Sequence, residues 1–197
     1  MSGYWDPLPA IRESAGVVVE PILTAAQKPV MLPEPSEYLR GKWEERNWRN
    51  VPGPLYGAMT DSCWCGRLFA PDNVCYNDGF GEEFVYRQPR SRAETYRLLQ
   101  AAWADPFNGY AMDGDEHWTP ESVQDWWGER ARLREWTVKT ATEWAAGERA
   151  DEAEAAQGLR DFLCYQDTEL ETDLRGYVFW LSERRVPGDG ESLPTLT

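Results

Sequence analysis

NVCYNDGFGEEFVYRQ, residues 73–88, followed at once by PRSRAETYRLLQAAW, residues 89–103, is the stretch whose reading decides the fold. In the first half Val74 and Tyr76 alternate on one arm and Phe84 and Tyr86 on the other, around Asn77–Asp78–Gly79. A period of two on both sides of a glycine-bearing turn predicts a β-hairpin. In the second half the period changes. Ser91 with Glu94 three residues later forms a capping-box pattern, and Tyr96, Leu99 and Trp103 follow at helical spacing until Pro106. Strand pairing that gives way to successive helices predicts an α+β fold, with a small antiparallel sheet or hairpins over about 37–88 packed by about four helices.

Upstream, VPGPLYGAMTDSCWCGRLF (residues 51–69) mixes turn formers with short apolar runs, as short strands and loops require. Residues 1–36 hold six of the fourteen prolines, so an extended, irregular arm is expected there, with Val17–Val19 and Ile22–Leu23 as a short strand interrupted at Pro21. Downstream, Thr119–Pro120 reads as an N-cap followed by proline at the first helical position, opening one helix to about Ala146. On a 100° wheel Trp126, Leu133, Trp136, Thr137, Thr140 and Trp144 share one stripe of that helix, whereas Trp127 points about 130° away. Further helices are expected over about 150–165 and from a second capping box at Thr168 and Glu171, with a disordered tail over 186–197. Residues 37–185 then form a single α+β domain.

Eleven tryptophans and a formal charge of −14 dominate the composition. The charge argues against nucleic acid, whose binding relies on Lys and Arg releasing counterions, and against anionic lipid. It suits cationic ligands or a basic protein partner. No apolar run is long enough to span a membrane, and the first residues, MSGYWDPLPAIRES, lack the basic and apolar regions of a signal peptide. With four cysteines in 197 residues the chain is no disulfide scaffold, and it reads as cytoplasmic. Oligomeric state is not legible.

Three clusters carry candidate chemistry. DPFNGYAMDGDEHW (residues 105–118) sets Asp113, Asp115, Glu116 and the only histidine, His117, beside Tyr110 and Trp118. Carboxylates next to an imidazole are the minimum for general acid/base work, although an acidic loop is also an ordinary way to enter a helix. One histidine cannot supply a usual catalytic zinc site, and Asp113–Glu116 does not follow calcium-loop spacing, so no metal is expected there. Cys63–Trp64–Cys65, with Cys75 and Cys164, matches the ligand count of an all-cysteine metal or iron–sulfur site but not the spacing of one. Small buried thiols beside a hairpin are the simpler account, and a nucleophilic Cys63 beside Asp61 requires the fold to bring His117 to it. The third cluster interleaves Trp43 and Trp48 with Arg40, Lys42, Arg46 and Arg49, a composition frequent at interface hot spots. Its arginines either bind an anionic group or pair with the acidic helices of the same chain. A second basic group, Arg87, Arg90, Arg92 and Arg97, reads as a solvated face.

No phosphate-binding loop, dinucleotide fingerprint or nucleophile elbow is present, so no nucleotide cofactor is expected. Two function classes remain. The first is a non-catalytic binding protein with an acidic cleft lined by Trp43, Trp48, Trp64, Trp118, Trp127, Tyr110 and Asp113. It would take a cationic or aromatic small molecule, or a basic protein, in a sequestering, immunity or regulatory role. The second is a small metal-independent enzyme using His117 with Asp115 or Glu116 as general acid/base, and Cys63 or Asp61 opposite. Trp126, Trp136, Trp144, Trp103 and Trp180 are assigned to the core.

Overall fold

A computed structural model describes residues 4–20, 29–61, 64–79, 81–188 and 190–197. In chain order it contains α1 (Leu8–Arg12), β1 (Val18–Val19), β2 (Val30–Met31), α2 (Pro35–Tyr38), a 3-10 turn at Trp43–Glu45, β3 (Tyr56–Gly57) and α3 (Gly66–Phe69). The hairpin strands β4 (Val74–Tyr76) and β5 (Glu83–Val85) come next, then α4 (Arg92–Ala104), β6 (Tyr110–Ala111) and α5 (Gly114–His117). Four helices close the chain: α6 (Pro120–Gly128), α7 (Arg130–Ala145), α8 (Ala150–Thr168) and α9 (Leu170–Glu183). The fold is α+β, and the described strands pair antiparallel as β1–β2, β3–β6 and β4–β5.

The hairpin forms where its pattern places it, with Val74 opposite Val85, Cys75 opposite Phe84 and Tyr76 opposite Glu83. All six residues are buried, so both faces are covered. Alternation then sorts the core. Val74 and Val85 pack with Ile11, Leu55, Leu98, Leu99 and Tyr110 on the side of α1 and α4. Cys75 and Phe84 pack with Val123, Leu133, Leu159, Phe162 and Leu174 from α6–α9. The hairpin is thus the wall between two apolar clusters.

β3 runs beside β5, but the ladder there is made by a side chain. Asn50 Oδ1 accepts the N–H groups of Gly57 (2.8 Å) and Val85 (2.8 Å), while its amide donates to the carbonyls of Asn47 and Gly57. At Gly57 a Cβ would lie 2.5 Å from the Glu83 carbonyl, so this approach requires glycine. The regular partner of β3 is β6, beyond residue 88, so strand pairing is not confined to the predicted 37–88 region.

Several local expectations are corrected. The N-terminal segment is not simply extended: Pro7 and Pro9 bracket the start of α1, where a missing N–H costs nothing, and Ile11 is fully buried. Val18–Val19 does form a strand, paired with Val30–Met31, while Ile22–Leu23 lies outside the described residues. The predicted helix over 119–146 is two helices. Thr119 caps α6 as expected, accepting from Ser122 N–H, but the chain leaves helical geometry after Gly128 and restarts at Arg130. Thr168 does not cap α9. It is the last residue of α8, and its hydroxyl donates back to the Cys164 carbonyl at 2.7 Å. The tail is docked: Arg175 donates to the carbonyls of Leu193 and Pro194, and Leu196 is buried.

The tryptophans divide differently from the helical wheel. Trp118 is the most buried at 8% exposure, whereas Trp103, assigned to the core, is 44% exposed and meets Tyr38 edge-on. The buried side of α4 is formed by Thr95, Leu98, Leu99, Ala101 and Ala102, which leaves position 103 outside. Trp126, Trp136, Trp144 and Trp180 are half-buried against the α6–α9 cluster, and so are Trp43, Trp48 and Trp127. Among the described residues no helix is long and apolar enough to cross a membrane.

Candidate functional site

The acidic loop of residues 105–118 ends in α5, a single turn that sends its ionisable side chains in different directions. Asp113 and His117, one turn apart, share a side. His117 Nε2 lies 3.3 Å from Asp113 Oδ2, and Asp113 Oδ1 accepts the Tyr56 hydroxyl at 2.7 Å. The imidazole lies flat on the Trp43 indole, with centroids 4.6 Å apart and planes 11° from parallel. Trp118 meets Trp43 edge-on, and the Arg46 guanidinium covers Trp43 at 3.8 Å. The carboxylate beside His117 is therefore Asp113, with Tyr56 behind it, and neither Asp115 nor Glu116.

Asp115 turns inward. Its Oδ1 accepts the Tyr177 hydroxyl from α9 at 2.6 Å, while its Oδ2 and the neighbouring Tyr4 hydroxyl are buried without partners among the described residues. Burial, helped by Asp6 and opposed by the Tyr177 bond and Arg184, pushes the Asp115 carboxyl up to about 6. Glu116 is exposed. Asp61 lies in another loop, its N–H held by the Asp105 carboxylate at 3.0 Å. Cys63 lies outside the described residues. Tyr110 faces the interior, where its hydroxyl donates to Glu83, whose other oxygen accepts Gly66 N–H.

The five tryptophans expected to line one cleft differ in their neighbours. Trp43 and Trp118 meet beside His117. Trp48 lies near Trp43 in sequence and accepts the Trp126 indole N–H at its carbonyl. Trp64 donates its indole N–H to the Gly79 carbonyl and packs between Tyr76 and Trp144. Trp127 sits on α6. Arginines of the same chain cover their rings: Arg46 on Trp43, Arg49 and Arg132 on Trp48, Arg130 on Trp127 and Arg149 on Trp64. Each of these four indoles thus has a guanidinium of the same chain within cation–π distance. Pairing with acidic helices, weighed for the stretch at residues 40–49, occurs instead at the second basic group, where Arg90 bridges Glu169 and Asp173.

The cysteines separate as well. Cys75 is fully buried, donates to the Gly158 carbonyl, and has its thiol pushed up to about 12 by burial, against the pull of Arg67. Cys164 is exposed on α8. Among the described residues no group of three or more His, Cys, Asp or Glu side chains is placed to hold a metal ion.

A wide, open concavity lies beside Arg46, Trp118, Trp126 and Glu129, and a more enclosed one lies elsewhere. A cavity of ≈ 190 Å³ opens between α9, the chain turns at Val51–Pro52 and Gln88–Arg90, the N-terminal Tyr4–Trp5 and the tail from Pro187 to Leu193. Its walls are aromatic and apolar: Tyr4, Trp5, Tyr165, Pro52, Pro89 and Leu174. Its polar edge is Thr172, Asp173, Glu191 and Arg90. Asp173 accepts from Arg90 and from the Tyr165 hydroxyl (2.9 Å), which fixes that edge. Arg185 and the Gly188 N–H pull Glu191 down to about 2, so it remains charged at the rim. Sequence reading missed this site because six distant segments build it. Its faint signals were Trp5, a large aromatic in a proline-rich segment, and Arg90, placed on a solvated face.

No protein-family model matches the chain, and comparisons with curated proteins and with solved structures return no match.

Proposed function

We propose that this is a binding protein that holds a small, flat aromatic molecule, neutral or singly positive, in the cavity between α9 and the two ends of the chain. One observation carries the reading: a concave site walled by Tyr4, Trp5 and Tyr165, with Asp173 and Glu191 held at its edge by Arg90 and Arg185. Mostly apolar walls with a few fixed polar groups are the usual composition of a ligand pocket. Aromatic walls favour a ring that can stack, and the −14 of the chain favours a weak base over an acid. Concavity favours a small molecule over the face of a basic protein.

The test is a ligand-observed NMR screen of aromatic amines and their neutral analogues, in which binders are expected to be displaced by one another and lost in Trp5→Ala. A panel without a saturable binder, or binders indifferent to Trp5→Ala, overturns the reading.

A second reading, acid/base chemistry at His117, has one supporting observation, the chain Tyr56 hydroxyl–Asp113–His117 on a half-exposed surface. It expects turnover of a screened compound that is lost in both His117→Ala and Asp113→Asn. Turnover that survives both substitutions removes it.

A further inference from the structure

Four arginines cover Trp43, Trp48, Trp127 and Trp136, and they do so in two ways. Arg46 lies over Trp43 and donates Nη1 to the Trp43 carbonyl at 3.2 Å; Arg130 lies over Trp127 and donates Nη1 to the Trp127 carbonyl at 3.1 Å. Each of these two donates to the carbonyl of the residue whose ring it covers.

Arg49 and Arg132 are different. Both guanidiniums cover the same indole, that of Trp48, at 4.7 and 4.3 Å, and Arg49 also covers Trp136 at 4.0 Å. Among the described residues the Arg49 side chain donates no hydrogen bond and has no carboxylate within ion-pair distance, and its Nε is buried without a partner. Arg132 has only Glu129, at 3.7 Å. Guanidinium is a planar fork of five donors, and burying it without acceptors is unfavourable. Placing a second positive charge on the same ring adds repulsion.

The surroundings only partly offset this. Glu82 and Asp78 act on Arg49 from a distance, but Glu82 is held by the amides of Asn47 (2.7 Å) and Asn77 (2.9 Å). The balance of burial, Arg132 and these carboxylates lowers the Arg49 pKa to about 10.

We propose that Arg49 and Arg132, which both lie against the Trp48 indole, form a binding site for a small oxyanion, a phosphate or a carboxylate group. An oxyanion supplies the acceptor that the Arg49 fork lacks, and a negative charge that offsets the repulsion between Arg49 and the exposed Arg132. The site is separate from the cavity at α9, and neither proposal depends on the other.

The experiment titrates the full chain with inorganic phosphate and, separately, with acetate at constant ionic strength against a chloride baseline. It follows tryptophan fluorescence and the Arg Nε–H resonances. Saturation by one of the two at lower concentration is expected and identifies the chemistry. Arg132→Gln, at an exposed position, is expected to weaken that binding at least tenfold without changing Tm, and Arg49→Gln to abolish it. Arg92→Gln, on α4 and paired with Glu13, is expected to leave it unchanged. A response no greater than that of chloride in both titrations, or one that Arg132→Gln leaves intact, overturns the proposal.

Discussion

The hydroxyl of Tyr177 donates a 2.6 Å hydrogen bond to Asp115, joining the single turn α5 to the middle of α9. Tyr4 meets the same Tyr177 ring at a tilt, with centroids 5.4 Å apart, so the N-terminal wall of the cavity rests on this pair.

Asp115 should make stability depend on pH in a direction unusual for an aspartate. Its folded pKa is raised from 3.8 to about 6, chiefly by burial. As pH rises the unfolded chain therefore releases this proton first. The contribution of Asp115 is fully present below about pH 4 and is lost as pH climbs through about 6, in total about 2–3 kcal/mol. Asp115→Asn keeps an acceptor for Tyr177 and carries no charge. Urea unfolding at intervals from pH 4 to 7 should show Asp115→Asn gaining on the wild type by that amount across the range. A difference that stays constant with pH contradicts this.

Two helical glycines should respond oppositely to alanine. At Gly158 a Cβ would lie 2.4 Å from Cζ of Arg67. Arg67 is 3% exposed and is pinned by the carbonyls of Pro71 and Val74 and by Glu154 and Asp161, so it has no room to yield. Overpacking of about 1–3 kcal/mol outweighs the gain of about 1 kcal/mol in helix propensity, so Gly158→Ala should destabilise. At Gly176 the new Cβ meets Tyr4 Cβ at 3.7 Å, an ordinary contact, and Gly176→Ala should stabilise by about 0.5–1 kcal/mol. Thermal unfolding of both variants checks the pair, and a stabilised Gly158→Ala contradicts the packing described for Arg67.

Thiol reactivity should follow burial. Cys75 is enclosed between the hairpin and α8 with its pKa pushed up to about 12, while Cys164 is exposed. The thiolate is the reactive form, so iodoacetamide at pH 8 should modify Cys164 in the native protein and reach Cys75 only on unfolding. Peptide mass spectrometry reads both sites, and equal rates at the two positions contradict the burial.

The sequence carried local pattern well and long-range assembly poorly. The hairpin, the Ser91 and Thr119 caps and the end of α4 were legible because each depends on neighbours within a few residues. The break after Gly128 was not, since a single glycine in a periodic segment is compatible with either one helix or two. Asp113 stood among the residues marked beside His117, but only the fold reveals that it, rather than Asp115, reaches the imidazole. The arginines on the indoles illustrate the same limit: Arg46 and Arg49 lie near their rings in sequence, whereas Arg132 reaches Trp48 from α7. The cavity was invisible because its wall is assembled from both ends of the chain.

The central claim, ligand binding at the cavity between α9 and the chain ends, is tested most directly by isothermal titration of one aromatic amine from the screen into the wild type and Gly176→Leu. Gly176 lines the cavity, and a leucine there fills it while leaving the His117 surface untouched. Saturable one-to-one binding to the wild type, at least a tenfold loss in Gly176→Leu and no change in His117→Ala are expected. Equal binding to the wild type and Gly176→Leu, with loss in His117→Ala, would contradict the claim and move the site to α5.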